Sequence, residues 1–147
     1  MTAYALTLEN QPRWIPGETV TVSAVATIGT GVVTADTWTA TNMLPAQKVQ
    51  IVGGKFFGQE FDTNASPTAT VIIGDGTDTD FYLKSKTAGG AAAVFDVNFD
   101  GDGIGGDGTA AGRDVVVTLG GTVATAASSG EIRVEVTYVC HDGARIS

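Results

Sequence analysis

Polar and apolar residues alternate along much of the chain. The longest run lies near its end, where every second residue from Ile132 to Cys140 is apolar and the residues between are mostly polar. Residues 19–27 and 69–73 show the same period of two. Because successive side chains of a β-strand point to opposite faces, this period predicts strands with one buried face.

An acidic turn separates two of the predicted strands. Residues 69–73 lead into the sequence GDGTDTD at positions 74–80, and Phe81, Tyr82 and Leu83 follow it. Glycine adopts positive φ without a steric penalty, and aspartate accepts hydrogen bonds within its own turn. The segment therefore predicts an antiparallel hairpin, around which we expect the rest of the sheet pattern to be arranged.

Further short strands follow from the remaining pattern. Residues 114–119 form an apolar run that predicts a strand covered on both faces. The pair Gly53-Gly54 predicts a bulge or a tight turn in the preceding strand. Three phenylalanines are expected in the core: Phe56, Phe57 and Phe61.

About eight or nine short strands at roughly even spacing, with no helix longer than about two turns, predict a single all-β domain. We expect an antiparallel β-sandwich, with a jelly roll as the first interpretation and an immunoglobulin-like sandwich as the second. The Cys–Trp–Cys pattern of true immunoglobulin domains is absent, because the chain contains one cysteine.

The two ends of the chain lack a continuous core pattern. Residues 1–17 are interpreted as an extended arm with a first strand, residues 18–141 as the sandwich, and residues 142–147 as a tail. Trp14 lies between two prolines and either covers the core or docks on a neighbouring molecule. Terminal segments fray in solvent or contact partners, and the predicted contact residues are Tyr4, Leu6, Leu8, Arg13, Trp14 and Arg145.

Composition narrows the possible partners. Charged residues make up 16% of the chain, against about 25% in typical soluble proteins, and such a composition is common on surfaces covered in an assembly. The formal net charge of −8 argues against nucleic acid and anionic membranes, because both attract clustered Lys and Arg. No secretory signal and no run of ~18 apolar residues is recognisable, so we expect synthesis in a cytoplasm.

One stretch has the spacing of a calcium-binding loop. Its oxygen ligands would be Asp96, Asn98, Asp100 and Asp107, with Gly101 at the sharp turn. Apolar residues alternate with the first three, however, and an extended strand holds alternate carboxylates about 7 Å apart. We therefore predict no metal site and no cofactor, and interpret the stretch as a solvated strand face that ends in a flexible loop.

No set of catalytic residues is recognisable in the sequence. The single histidine, His141, follows Cys140, and neighbours on a strand point to opposite faces, so they cannot act as base and nucleophile. Asp75, Asp78 and Asp80 are interpreted first as turn residues and only second as metal ligands. We predict that the protein is not an enzyme.

Three segments resemble structural proteins of tailed-bacteriophage virions. Residues 71–83, VIIGDGTDTDFYL, are similar to a turn that recurs in capsid decoration (cement) and head-associated proteins. Residues 129–138, SGEIRVEVTY, resemble the last strand of these proteins, and residues 48–57 resemble the strand before the turn. Residues 110–117 depart from the pattern that the family usually has there.

The resemblance implies a non-enzymatic sandwich, often a homotrimer, that binds the major capsid protein. It would stabilise adjacent capsid subunits on the exterior of the virion after synthesis in a bacterial cytoplasm. Two alternatives stay open. The first is a head-fibre base or tail-associated module that binds host carbohydrate through residues such as Trp38. The second is a calcium-dependent hydrolase or lectin that uses the four calcium-type residues.

Overall fold

The computed structural model describes residues 2–28, 31–59, 68–87, 94–104, 107–108, 113–123 and 130–140. Within these ranges the chain forms eleven strands and no helix. The strands are β1 (Ala3–Ala5), β2 (Thr7–Leu8), β3 (Thr19–Thr27), β4 (Thr37–Ala40), β5 (Val49–Gln59), β6 (Thr70–Gly74), β7 (Leu83–Thr87), β8 (Val94–Asn98), β9 (Asp107–Gly108), β10 (Val115–Gly120) and β11 (Glu131–Cys140).

The strands form two sheets. Sheet A has the order β1-β4-β10-β6-β7, and sheet B has the order β2-β3-β11-β5-β8, with β9 pairing with another part of β5. All of these pairs are antiparallel except β1 with β4. The orders β4-β10-β6-β7 and β3-β11-β5-β8 are those of a jelly roll. The predicted β-sandwich of jelly-roll type is therefore confirmed.

The central strand of each sheet supplies the middle of the core. β11 pairs with β3 on one side and with β5 on the other. Its inward residues are at most 1% exposed: Ile132, Val134, Val136, Tyr138 and Cys140. In sheet A, Val115, Val117 and Leu119 of β10 are equally buried and belong to the same core cluster. Full burial of such an aliphatic side chain stabilises the fold by about 1.5–3 kcal/mol.

Two expectations about the core are wrong. Val116 and Thr118 of β10 are half-buried on the outer face of sheet A, so the chain itself covers one face of this strand fully and not both. Phe56 is buried as expected, but Phe57 lies on the outer face of sheet B, where the Arg133 guanidinium stands 5.7 Å from its ring centroid. Phe61 lies outside the described residues.

The bulge predicted near Gly53-Gly54 is present one residue earlier in the strand. The register between β5 and β11 shifts where Tyr138 pairs with Ile51 and Thr137 pairs with Gly53. Val52 is the extra residue, and its side chain is exposed. A bulge bends the strand and increases its twist, which fits the long β5 to a curved sandwich.

The extended segment formed by β1 and β2, which we call the shared first strand, pairs with both sheets. β1 pairs with β4 in sheet A, and β2 pairs with β3 in sheet B. Leu6 lies between them, 5% exposed in the core, and its backbone N–H donates to the Thr39 carbonyl at 2.8 Å. The ring of Tyr4 stacks on buried Trp38 with a centroid distance of 5.2 Å. The amino-terminal residues therefore contribute to the core and close one side of the sandwich.

Asp36, directly before β4, is the one charged residue that is buried within the described ranges. Its Oδ1 accepts the backbone N–H of Thr2 at 2.6 Å, and its Oδ2 accepts that of Val33 at 2.9 Å. Hydrogen bonds to a charged group contribute about 1.5–3 kcal/mol each, more than bonds between neutral groups. The carboxylate thus fastens the beginning of β1 to the loop that precedes β4.

The connector between β2 and β3 runs across the end of β11. The Trp14 indole N–H donates to the Lys48 carbonyl at 3.0 Å, and its ring packs against the core. The Tyr138 hydroxyl donates to the Arg13 carbonyl at 2.6 Å, and burial raises the pKa of Tyr138 to about 12. The interpretation of Trp14 as a cover for the core is confirmed.

We predict different effects of two tyrosine-to-phenylalanine changes on the free energy of unfolding. Tyr138→Phe removes the bond to the Arg13 carbonyl and should lower the free energy of unfolding by about 1 kcal/mol. Tyr82 is fully buried and its hydroxyl has no hydrogen-bond partner among the described residues, so Tyr82→Phe should leave stability unchanged or raise it. Urea denaturation of both variants measures this, and a larger loss for Tyr82→Phe would contradict it.

Candidate functional site

The residues with calcium-type spacing do not converge on one centre. Asp96 lies in β8 and pairs with Phe57 of β5, whereas Asp107 lies in β9 and pairs with Gln50 of the same strand. Seven residues of extended β5 separate these two pairing positions by about 23 Å. Asn98 ends β8 with its side chain exposed. Residues 94–98 therefore form a strand that is followed by a loop, as interpreted from the sequence.

Asp100 binds lysine and backbone groups of the neighbouring sheet. Its Oδ1 accepts the backbone N–H of Lys84 at 3.0 Å, and its Oδ2 pairs with the Lys86 ammonium group. The hydrogen bond from Lys86 lowers the pKa of Asp100 below its ordinary value, and the bond from Lys84 adds to this effect. The carboxylate thus links the loop after β8 to the edge strand β7.

The glycines of this loop allow its backbone to approach residues 80–82, directly before β7, closely. The N–H of Gly101 donates to the Tyr82 carbonyl at 2.9 Å, and that of Gly103 donates to the Phe81 carbonyl at 2.8 Å. A Cβ atom at Gly101 would overlap the carbonyl oxygens of Asp80 and Phe81, and one at Gly103 would overlap the Phe81 ring. We name residues 99–104 the clasp, because they hold sheet B against the edge of sheet A.

Three carboxylates, one of them in the clasp, lie close together. Oxygen atoms of Asp78, Asp80 and Asp102 lie within 4.8 Å of one another at the surface, and Lys84 pairs with Asp102 at 3.5 Å. A hydrogen bond with the Asp78 carboxyl group raises the pKa of Asp80, and desolvation and the charge of Asp102 add to the shift. Three oxygen ligands of this kind suit a hard divalent cation. Exposed carboxylates also group without one, and no other feature of the described residues indicates a ligand at this position.

The structure of the acidic turn confirms the interpretation of Asp75 as a turn residue, but it changes the set of carboxylates that lie together. Asp75 acts as a turn residue, because its Oδ1 accepts the N–H groups of Thr77 at 2.9 Å and Asp78 at 2.8 Å. The third carboxylate of the cluster is instead Asp102, from the loop after β8. No local signal in the sequence places Asp102 beside Asp80, because only the pairing of clasp and turn brings them together.

The predicted partner-contact residues divide between the core and the surface. Leu6 is in the core, and Tyr4, Leu8 and Trp14 are half-buried against it. Arg13 is exposed and forms an ion pair with Glu18 at 2.8 Å. Arg145 lies outside the described residues. The fold therefore leaves Arg13 as the described member of this set that a partner can reach without disturbing the core.

The described tryptophans and tyrosines do not form a carbohydrate-binding surface. Trp38 is 1% exposed, with Tyr4 stacked on it, so it cannot stack on a sugar ring. Among the described tryptophans and tyrosines none is exposed, since Tyr82 and Tyr138 are also buried and Trp14 is half-buried. The alternative of carbohydrate recognition through Trp38 therefore lacks the exposed ring that it requires.

The outer faces of the two sheets differ in charge. No residue of β1, β4, β6 or β10 is charged. The outward residues of these four strands are all neutral: Ala3, Ala5, Thr37, Thr39, Thr70, Ile72, Val116, Thr118 and Gly120. The fifth strand of sheet A, the edge strand β7, carries Lys84 and Lys86. The outer face of sheet B carries Arg133, Glu135 and Lys55, and Arg133 forms an ion pair with Glu9 at 2.9 Å.

Comparison with known proteins gives matches at the level of structure. No protein-family model and no curated protein matches the chain. A chain of the cyanophage Pam1 capsid asymmetric unit matches with 25% identity and a TM-score of 0.74, over 89% of this chain and 91% of that chain. This chain is similar to phage capsid proteins. A chain of the capsid of Ralstonia phage GP4 has the same fold, with 18% identity and a TM-score of 0.68, over 92% of this chain and 93% of that chain.

The similarity to phage capsid proteins supports a structural role in a virion. It covers nearly the whole sandwich, and it agrees with the resemblance that residues 71–83 and 129–138 carry in the sequence. The predicted likeness to structural proteins of phage heads is therefore confirmed. None of the described residues forms a helix long and apolar enough to cross a membrane.

We predict that the clasp depends on its glycines. Gly101→Ala should lower the free energy of unfolding by about 1–3 kcal/mol, because the new Cβ collides with backbone oxygens that cannot move independently. Gly53→Ala is the matched control, since its Cβ meets nothing within 4 Å and its φ is not positive. Chemical denaturation measures both, and equal stability of the two variants would contradict a close-packed clasp.

The carboxylate cluster predicts a pH dependence of stability. The folded-state pKa of Asp80 is raised above its ordinary value of 3.8. The protonated Asp80 carboxyl group therefore contributes to the free energy of unfolding, and this contribution is fully present below pH 3.8. The contribution is lost as the pH rises through the folded-state pKa. As the pH rises over this range, the melting temperature of the unchanged protein should therefore fall relative to that of Asp80→Asn. Thermal melts of both from about pH 3 to about pH 7 test this, and a constant difference between them would refute it.

Proposed function

We propose that the protein is a capsid decoration (cement) protein that binds the outside of a phage head and stabilises adjacent capsid subunits. The observation that carries the proposal is the match to a chain of the cyanophage Pam1 capsid over 89% of this chain. The motifs in residues 71–83 and 129–138 point to the same group of proteins. Its partner is the major capsid protein, and its place is the exterior of the virion.

The architecture supports a passive scaffold. The two sheets are connected at two places, by the shared first strand and by the clasp. Among the described residues, no general base lies beside a nucleophile. The net charge of −8 keeps unassembled copies apart and soluble. We propose that the protein performs no reaction, and that copies associate as a homotrimer so that many modest contacts add up on the shell.

The contact with the shell is proposed to include the amino-terminal connector. Arg13 is exposed there, and its ion pair with Glu18 is a surface pair that adds little to stability. Arginine is a frequent anchor of protein interfaces because its planar group forms several hydrogen bonds at once. Arg145 and the rest of residues 142–147 are proposed as a second contact.

We predict that purified protein binds stoichiometrically to phage heads that lack it, and that Arg13→Ala binds about tenfold more weakly, as expected for an interface arginine. Removing the whole segment would be a poor test, because it also removes Leu6 from the core. Lys84→Ala is the matched control, since Lys84 is likewise exposed and paired with a carboxylate, Asp102. Co-sedimentation with heads measures all three proteins.

The two possible failures have different meanings. If the unchanged protein does not bind heads, the decoration role is wrong. If it binds and Arg13→Ala binds equally well, the role stands and the contact through the connector is wrong. A loss of binding in Lys84→Ala of the same size as in Arg13→Ala would also reject the connector as the specific contact.

A further inference from the structure

We infer that the outer face of sheet A is the surface through which copies of this chain associate with one another. This inference names the contact surface for the self-association included in the proposed function. It begins from the charge distribution, because the four strands β1, β4, β10 and β6 carry no charged residue in a protein with a net charge of −8. Depletion of charged residues marks the centre of protein interfaces.

The middle strand of this face has the sequence of a strand covered on both sides. In β10 the outward residues are Val116, Thr118 and Gly120, and the inward ones are fully buried aliphatics. In the neighbouring strand, Ile72 lies opposite Thr118 and also points outward. Apolar outward residues on a central strand gain from burial when a second surface covers them.

Charge selects a second copy as the covering surface. Two copies of like net charge repel wherever both present carboxylates, and burying an unpaired carboxylate costs several kcal/mol. The part of this face formed by β1, β4, β10 and β6 avoids both costs, whereas the acidic cluster and the outer face of sheet B do not. A basic partner would instead be drawn to the acidic surfaces.

The chemistry of the face is also complementary to itself. A threonine hydroxyl both donates and accepts hydrogen bonds, so Thr39 and Thr118 can pair with the same residue type on another copy. Lysine ammonium groups only donate and carboxylates only accept, so a face of one of these types could not pair with itself. Many of the outward residues are also small, such as Ala3, Ala5 and Gly120, which allows close approach.

The area of the face determines how strongly we expect two copies to associate through it. Four strands about 4.8 Å apart, with roughly five residues each, span on the order of 300 Å². Stable interfaces bury about 800 Å² per partner, so contact through this face alone is weak. We therefore expect association at high protein concentration, strengthened when copies are held side by side on a common surface.

The test is sedimentation velocity over protein concentrations from micromolar to millimolar. We expect the unchanged protein to associate with rising concentration and Thr118→Glu to remain monomeric, because it places a carboxylate at the centre of the face in every copy. Thr137→Glu is the matched control, since Thr137 occupies the corresponding half-buried outward position on β11 of sheet B, and it should associate like the unchanged protein.

Three results would overturn the inference: no association of the unchanged protein at any concentration, unaltered association of Thr118→Glu, or equal loss of association in Thr137→Glu. If Thr118→Glu fails to fold by circular dichroism, Ala5→Glu replaces it, because Ala5 is exposed at the edge of the same face. Head binding is measured separately, so a monomeric protein that still decorates heads would reject this contact and leave the proposed function standing.

Discussion

The whole structure depends on the close packing of the inner faces of β10 and β11. Each is the central strand of its sheet, so every inward side chain on it is surrounded by neighbours from both flanking strands and from the opposite sheet. The positions of the other strands follow from this contact, because a shift of one residue in any register would turn its apolar side chains outward. The loops, the clasp and the shared first strand are attached to this core.

Alternation in the sequence was sufficient to predict most of this arrangement. β3 spans Thr19–Thr27 as the pattern indicates, and β11 ends its inward series at Cys140. Alternation works here because one face of each strand is buried and the other is not. The turn around Asp75 was also readable, since its hydrogen bonds are formed within the turn itself.

The parts that the sequence did not predict depend on contacts between distant segments. Asp100 has the spacing of a calcium ligand, yet in the fold it accepts the backbone N–H of Lys84 and pairs with the ammonium group of Lys86. Asp102 joins Asp78 and Asp80 only because the clasp lies against the turn. Phe57 is of a residue type that is usually found in cores. The bulge in β5 shifts the alternation of inward and outward residues by one, so Phe57 lies on the outer face beneath Arg133. Such placements are properties of the tertiary structure, and no local window contains them.

The shared first strand has a mechanical consequence. Because β1 and β2 are consecutive but belong to different sheets, tension on the amino-terminal end acts first on sheet A through β1 and then on sheet B through β2. Pulling along these strands loads their hydrogen bonds in shear, and Asp36 resists at the outermost point by holding Thr2. Detaching this segment completely therefore breaks contacts with both layers, and it also withdraws Leu6 from the core.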